Sequence, residues 1–188
     1  MSKFEKTPFG GKSPKKKKLK RSEPEVARKI GRAGIVARQP LVWLTTTGLL
    51  ATVAGPKGRR AAQRGLVCYL LGALAGNLPK PLFGRPQPRQ RRAKKPHVLR
   101  GSFPSGHNAA EVAYVFGASQ EAPLVFIPLS AMALVGHWSV IRAGKHYVSD
   151  ALVGGIIGLA VVAGVTKAWP PPRPTIVALQ YSSSDSST

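Results

Sequence analysis

The chain has 188 residues, with 29 lysines and arginines against 7 acids and a formal net charge of +22. An imbalance of that size implies an anionic partner: nucleic acid, a phospholipid surface or a phosphorylated substrate. A single cysteine, Cys68, excludes an intramolecular disulfide framework and a cysteine-based zinc site.

The mean hydropathy of −0.06 hides a segregation. Nearly all charge falls in residues 1–38 and 56–100, and between Val26 and Gln180 the acids are Glu111, Glu121 and Asp150. A soluble domain scatters carboxylates over its surface, so their near absence points to lipid around much of the chain.

Residues 1–22 (MSKFEKTPFGGKSPKKKKLKRS) have almost nothing to bury and read as a disordered basic tail able to meet anionic headgroups. So long a charged lead before the first apolar run argues against a signal peptide. Residues 23–38 have helical composition with an apolar Val26/Ile30 face and suit an interfacial helix. Five apolar segments follow, at residues 40–55, 65–79, 108–120, 122–141 and 151–166. The first two are short for a bilayer core that takes about 20 residues, and would borrow flanks with Arg38, Arg64 and Lys80 snorkelling. Residues 122–141 carry no formal charge and form the clearest span. The last segment has Gly154, Gly155 and Gly158, which permit close helix approach, and ends at Lys167–Trp169, an interfacial signature.

The reading is an all-α integral membrane bundle with about five transmembrane segments. Its divisions are a basic tail over 1–38, a membrane domain over 39–169 and a disordered C-terminal tail over 170–188. A buried soluble bundle is the alternative, and five such segments with so few acids favour the membrane. With the basic tail cytoplasmic, the basic loop 80–100 also falls on that side, as the positive-inside rule expects. The basic stretch 55–64 then lies outside, unless the first two segments form a re-entrant hairpin.

Three polar clusters interrupt the apolar segments at one membrane face: KPLFGRPQP (residues 80–88), FPSGH (103–107) and SVIRAGKHYVSD (139–150). In the third, His146 and Asp150 stand at i, i+4 and share a face if a helix begins near His146. A carboxylate on one imidazole nitrogen leaves the other as nucleophile or base. The second cluster sets Ser105, Gly106 and His107 at a helix N-terminus, where free N–H groups suit an anion. Lys80 and Arg85 supply cations. Each cluster alone has a bland explanation: a capping pair, a turn, a positive-inside flank. Two separated histidines and one Asp give no metal spacing motif, so no metal and no cofactor are expected. Basic strands with interleaved aromatics and recognition helices are missing, so no nucleic acid is expected as partner. Glu111, four residues after His107, either faces it and raises its pKa or pairs with a nearby Arg. His137–Trp138 reads as interfacial and without chemistry.

Taken in order, the clusters resemble the motifs K-x6-R-P, P-S-G-H and S-R-x5-H-x3-D of the type 2 phosphatidic acid phosphatase (PAP2) superfamily, and the chain is similar to its short bacterial integral-membrane members over about residues 65–165. The second motif is complete. Gln87 and Val140 stand where the first and third have arginines. The resemblance implies a lipid phosphatase in the bacterial plasma membrane, acting on a lipid phosphomonoester or diphosphate such as a polyprenyl-phosphate-linked substrate. It implies His146 as the nucleophile forming phosphohistidine, Asp150 as its orienter and His107 as acid and then base. Lys80, Ser105 and Gly106 would hold the phosphoryl oxygens. Either Arg85 and Arg142, each two residues from an absent motif arginine, reach the same phosphate with help from Arg100, or the cradle is degraded. The second case leaves a weak or inactive membrane protein that binds anionic lipid or a partner through its basic tail.

Overall fold

The computed structural model describes residues 24–83, 85–88 and 101–172. The expectations for the tail before Pro24, for Arg100 and its loop, and for the tail beyond residue 172 lie outside these residues. Every regular element among them is helical.

Proline punctuates the start. Pro40 opens α2 (Pro40–Val53), and a residue before proline is pushed out of the helical region, so Gln39 is extended with ψ 135°. α1 (Glu25–Ala37) therefore stops short of it and leaves Arg38 as its C-cap. A left-handed Gly55 (φ +63°) then turns α2 straight into α3 (Gly55–Asn77). The basic stretch 55–64 forms the first turns of α3. Its Arg64 does not snorkel. It is fully buried, with Nε donating to Glu121 Oε1 at 2.8 Å and Nη1 to the Trp169 carbonyl at 2.7 Å.

One turn, α4 (Lys80–Phe83), follows; later in the chain come α5 (Gly106–Ser119), a 3-10 turn at Pro123–Val125, α6 (Phe126–Arg142) and α7 (Val148–Ala168). α5 is the centre of the bundle, packed on α3, α6 and α7. Its small residues Ala109, Ala110, Ala113 and Ala118 are buried. Glycines on both neighbours make that possible: a Cβ at Gly72 of α3 would lie 2.7 Å from the Ala109 carbonyl oxygen, and one at Gly158 of α7 would lie 2.6 Å from the same atom. Trp43, Tyr69 and Tyr114 join α2, α3 and α5, with ring centroids 5.0–6.3 Å apart.

Among the described residues three helices are long and apolar enough to cross a membrane: Gly55–Phe83, Pro123–Arg142 and Val148–Ala168. α2 is a shorter apolar helix, and α5, at 14 residues, is enclosed by its neighbours. Large apolar side chains such as Leu70, Ile127, Leu134, Leu152 and Ile156 stand exposed on the outside. With no water to satisfy a backbone in hydrocarbon, such helices are the form a membrane span takes. The protein is an all-α integral membrane bundle.

α1 is the helix expected over residues 23–38, but it is docked in the bundle and not part of a separate tail. It packs along α6 with Gly34 buried in the contact, where a Cβ would collide with the Val135 carbonyl and the Ser139 side chain. The boundary placed after residue 38 thus cuts a helix and its cap away from the bundle they belong to. Arg38, expected to snorkel, is 5% exposed.

Candidate active site

A cavity of about 330 Å³ opens at the end of the bundle where α1, α3 and α6 finish and α5 begins. Arg38, Lys80, Gln87, His107, Lys145 and His146 line it. Three cations and two histidines therefore face one space, and among the described residues no carboxylate lines it. Cations gathered at one space make it positive and suit it to an anion.

Local backbone rules bring each group there. Ser105 is the N-cap of α5, its Oγ accepting from Asn108 N at 3.4 Å while its own N–H donates to the Asp150 carbonyl at 3.1 Å. That cap aims the first turn of α5, and with it His107, at the cavity. Ser105 and Gly106 are buried behind it. Gly144, at φ +66°, ends α6 with a Schellman pair: Lys145 N–H donates to the Val140 carbonyl and Gly144 N–H to the Ile141 carbonyl, both at 3.0 Å. The turn swings Lys145 and His146 into the cavity.

His146 precedes α7 rather than riding on it, because Tyr147 is the N-cap. The ring is fixed by another group than expected: Nδ1 lies 2.9 Å from the Ser102 carbonyl, which only an Nδ1–H can satisfy, and 3.8 Å from Asp150 Oδ2. The second nitrogen, Nε2, is thereby left with its lone pair. Asp150, fully buried, accepts from Tyr147 N–H at 2.9 Å and from Arg85 Nη1 at 2.8 Å. It holds the turn that carries His146 and supplies charge beside the ring.

The two arginines expected to complete a cradle do not line the cavity. Arg85 pairs with Asp150, donates to Ser149 Oγ at 3.0 Å and stacks 4.1 Å over Tyr147. Arg142, one residue before the Schellman turn, lies back along α6 over Trp138 at 4.9 Å. Lys80, His107 and His146 do come together, and Lys145 and Arg38 join them unforeseen. Arg38 Nε donates to Glu111 Oε1 and Nη2 to Asn108 Oδ1, both at 3.0 Å. Glu111 Oε2 lies 2.7 Å from His137 Nε2, so His137 belongs to a buried polar chain rather than to the interface. Of the two alternatives for Glu111, the pairing with an Arg is the one adopted.

Both site histidines lie outside the three spanning helices, and both are held below the ordinary imidazole range. His146 is lowered to about 4, first by burial and then by the charge of Arg38, with the Ser102 carbonyl and Asp150 opposing. The His107 ring opens onto the cavity, yet protein packed around it desolvates its charged form, and Arg38 adds to the lowering; Glu111 opposes without reversing the direction. A neutral His146 with a free Nε2 is a competent nucleophile.

The family model of the PAP2 superfamily matches residues 64–174, more than half of the chain. The chain belongs to the PAP2 superfamily. It is by that membership a phosphatase at the level of the superfamily. Among solved structures the chain is similar to the first transmembrane PAP2 type phosphatidylglycerolphosphate phosphatase from Bacillus subtilis, at 19% identity and a TM-score of 0.47. That match covers 77% of this chain and 84% of the other. No curated protein sequence matches significantly. The PAP2 match begins at residue 64, so Arg38 stands outside the part of the chain that carries the superfamily's pattern.

Proposed function

We propose that this PAP2 protein is a lipid phosphatase that hydrolyses a phosphomonoester or diphosphate through a phosphohistidine at His146, without a metal ion. The observation that carries the reading is His146, its Nδ1 held 2.9 Å from the Ser102 carbonyl, set in a cavity lined by cations and by a second histidine. Nε2 attacks the terminal phosphorus and its bond to the leaving oxygen, of the alcohol in a monoester or of the remaining phosphate in a diphosphate, breaks. His107 gives that oxygen a proton, then takes one from the water that cleaves the P–N bond, releasing orthophosphate and regenerating His146. An arriving phosphate dianion offsets the positive surroundings of His107 and favours its protonated form. Lys80 and Lys145, with the N-terminus of α5 behind Ser105 and Gly106, stabilise charge on the equatorial oxygens. Among the described residues no group of three His, Cys, Asp or Glu side chains stands ready for a metal.

A headgroup in the polar cavity leaves its chain beside the exposed apolar faces of α6 and α7. Suitable substrates are a polyprenyl-phosphate-linked sugar phosphate, phosphatidate, phosphatidylglycerol phosphate or undecaprenyl diphosphate. The lysine-rich sequence before α1 and the basic sequence after α4 favour a cytoplasmic site in a bacterial plasma membrane, with anionic headgroups meeting the tail.

Purified protein in EDTA, assayed for phosphate release from a panel of these lipids, tests the reading. Wild type is expected to turn over at least one of them and to trap an acid-labile phosphoenzyme, and His146→Ala to do neither. Equal release by the two proteins would refute the mechanism, and no release from any lipid would favour a non-catalytic anion-binding membrane protein.

A further inference from the structure

We infer that Arg38, brought by the junction of α1 and α2, is the phosphate-binding guanidinium of this site and takes over the work of the arginines absent at Gln87 and Val140. The inference rests on the phosphatase reading for its substrate, and on the cavity alone for its anion.

Among the described residues Arg38 is the one arginine lining the cavity, which it shares with His107 and His146. Its side chain is 94% buried. Two of its nitrogens are committed, Nε to Glu111 and Nη2 to Asn108, and these bonds orient the guanidinium plane. The third, Nη1, is buried and meets no acceptor among the described residues. A charged donor is seldom left so, because leaving a buried charged group without its hydrogen bond costs more than leaving a neutral one. A phosphoryl oxygen in the cavity is the acceptor of matching charge.

The surroundings are shaped for this side chain. A Cβ at Gly136 of α6 would lie 2.6 Å from Arg38 Cγ, so the stem runs where only glycine leaves room. Gln87 lines the same cavity, so the position vacated by one motif arginine and the arginine that replaces it face a common space. Val140, the other vacated position, also lines it. The charge of Arg38 reaches both histidines, lowering each. Glu111 neutralises part of that charge from behind and orients the fork, which makes it a positioning residue.

The test uses the full-length protein in detergent or nanodiscs, with inorganic orthophosphate as the binding probe and lipid phosphate as substrate. Arg38→Lys keeps a cation beside Glu111 but loses the planar fork, and kcat is expected to fall about 10²–10³-fold, as for loss of one donor to a transition-state oxygen. Arg38→Met combined with Glu111→Met removes the pair together, so no buried carboxylate is stranded. That protein should fold, show the same loss of turnover and bind orthophosphate about tenfold or more weakly. Adding Gln87→Arg to it, or supplying free guanidinium ion, should recover turnover. A double variant with wild-type turnover and wild-type orthophosphate affinity would overturn the inference, leaving Arg38 as a counter-ion for Glu111. Should the double variant not fold, Arg38→Lys with unchanged kcat and orthophosphate affinity would overturn it equally. If wild type hydrolyses no lipid, the phosphatase reading fails by itself, while orthophosphate binding lost in the Arg38 variants still upholds the anion site.

Discussion

His146 shows how a single ring is prepared by groups that never touch a substrate. The Ser102 carbonyl fixes its tautomer, burial and Arg38 hold it neutral, and Asp150 moderates that shift from 3.8 Å. The sign follows directly. A pKa lowered to about 4 keeps the nucleophile unprotonated above that pH, and activity is lost as pH falls through it. The acid limb of kcat/KM, corrected for the substrate phosphate whose second pKa is about 6, is therefore expected near pH 4. Because Arg38 contributes to the lowering, Arg38→Gln should move that limb upward. An acid limb at the ordinary imidazole value in wild type would show that the ring is not desolvated as the structure has it. The motif residues were legible at this scale because their roles are local: Pro-Ser-Gly-His caps a helix within four residues, and Asp150 bonds the N–H of Tyr147 three residues away. The roles of Arg85 and Arg142 were not. Spacing placed both near the phosphate, but direction depends on which partner each finds, Asp150 and Tyr147 for one and Trp138 for the other.

At the scale of elements, the contact between α1 and α6 decides whether the cavity has its fourth wall. α1 reads as an amphipathic interfacial helix because its composition is basic with a few apolar positions. Its docking is invisible in such a pattern because it rests on two small residues, Gly34 and Gly136, more than a hundred positions apart. Glycine substitutions separate the two properties. Gly31 and Gly34 lie one turn apart on α1, and a Cβ at Gly31 meets nothing within 4 Å. Gly31→Ala should thus be neutral or stabilise by up to about 1 kcal/mol through helix propensity. Gly34→Ala must push α1 off α6 and carry Arg38 with it. A displacement of about 1 Å can cost a hundredfold in rate, so kcat should fall about that far, with about 1–3 kcal/mol of stability lost to the overpacked contact. Equal behaviour of the two variants in kcat would mean that α1 is not held where the structure places it. A related strain argument applies just beyond this contact, where α6 ends. Gly144→Ala forces a side chain into a left-handed conformation at about 1–2 kcal/mol, and the turn that presents Lys145 and His146 should lose both stability and rate.

The whole molecule is tied by two buried Arg–Glu pairs at opposite ends of α5, and they divide its labour. Arg38–Glu111 closes the cavity end. Arg64–Glu121 closes the other, where Arg64 also reaches the Trp169 carbonyl and stacks on its ring at 4.5 Å, fastening the last turn of α7 to α3. Sixteen residues of chain, mostly α3, separate Arg64 from Lys80, and at 1.5 Å per helical residue this is about 24 Å. The far pair is thus too distant to act on the reacting group, and its loss should appear in stability alone. Arg64→Ala strands Glu121 in a buried position, which costs about 3–5 kcal/mol. Arg64→Met with Glu121→Met, by removing both charges, should cost much less. Thermal unfolding in detergent reads the first effect, and kcat of the folded fraction reads the second, with both variants expected to keep wild-type turnover. A loss of kcat matching the loss of stability would mean that the two ends are mechanically coupled through α5, which runs between the two pairs.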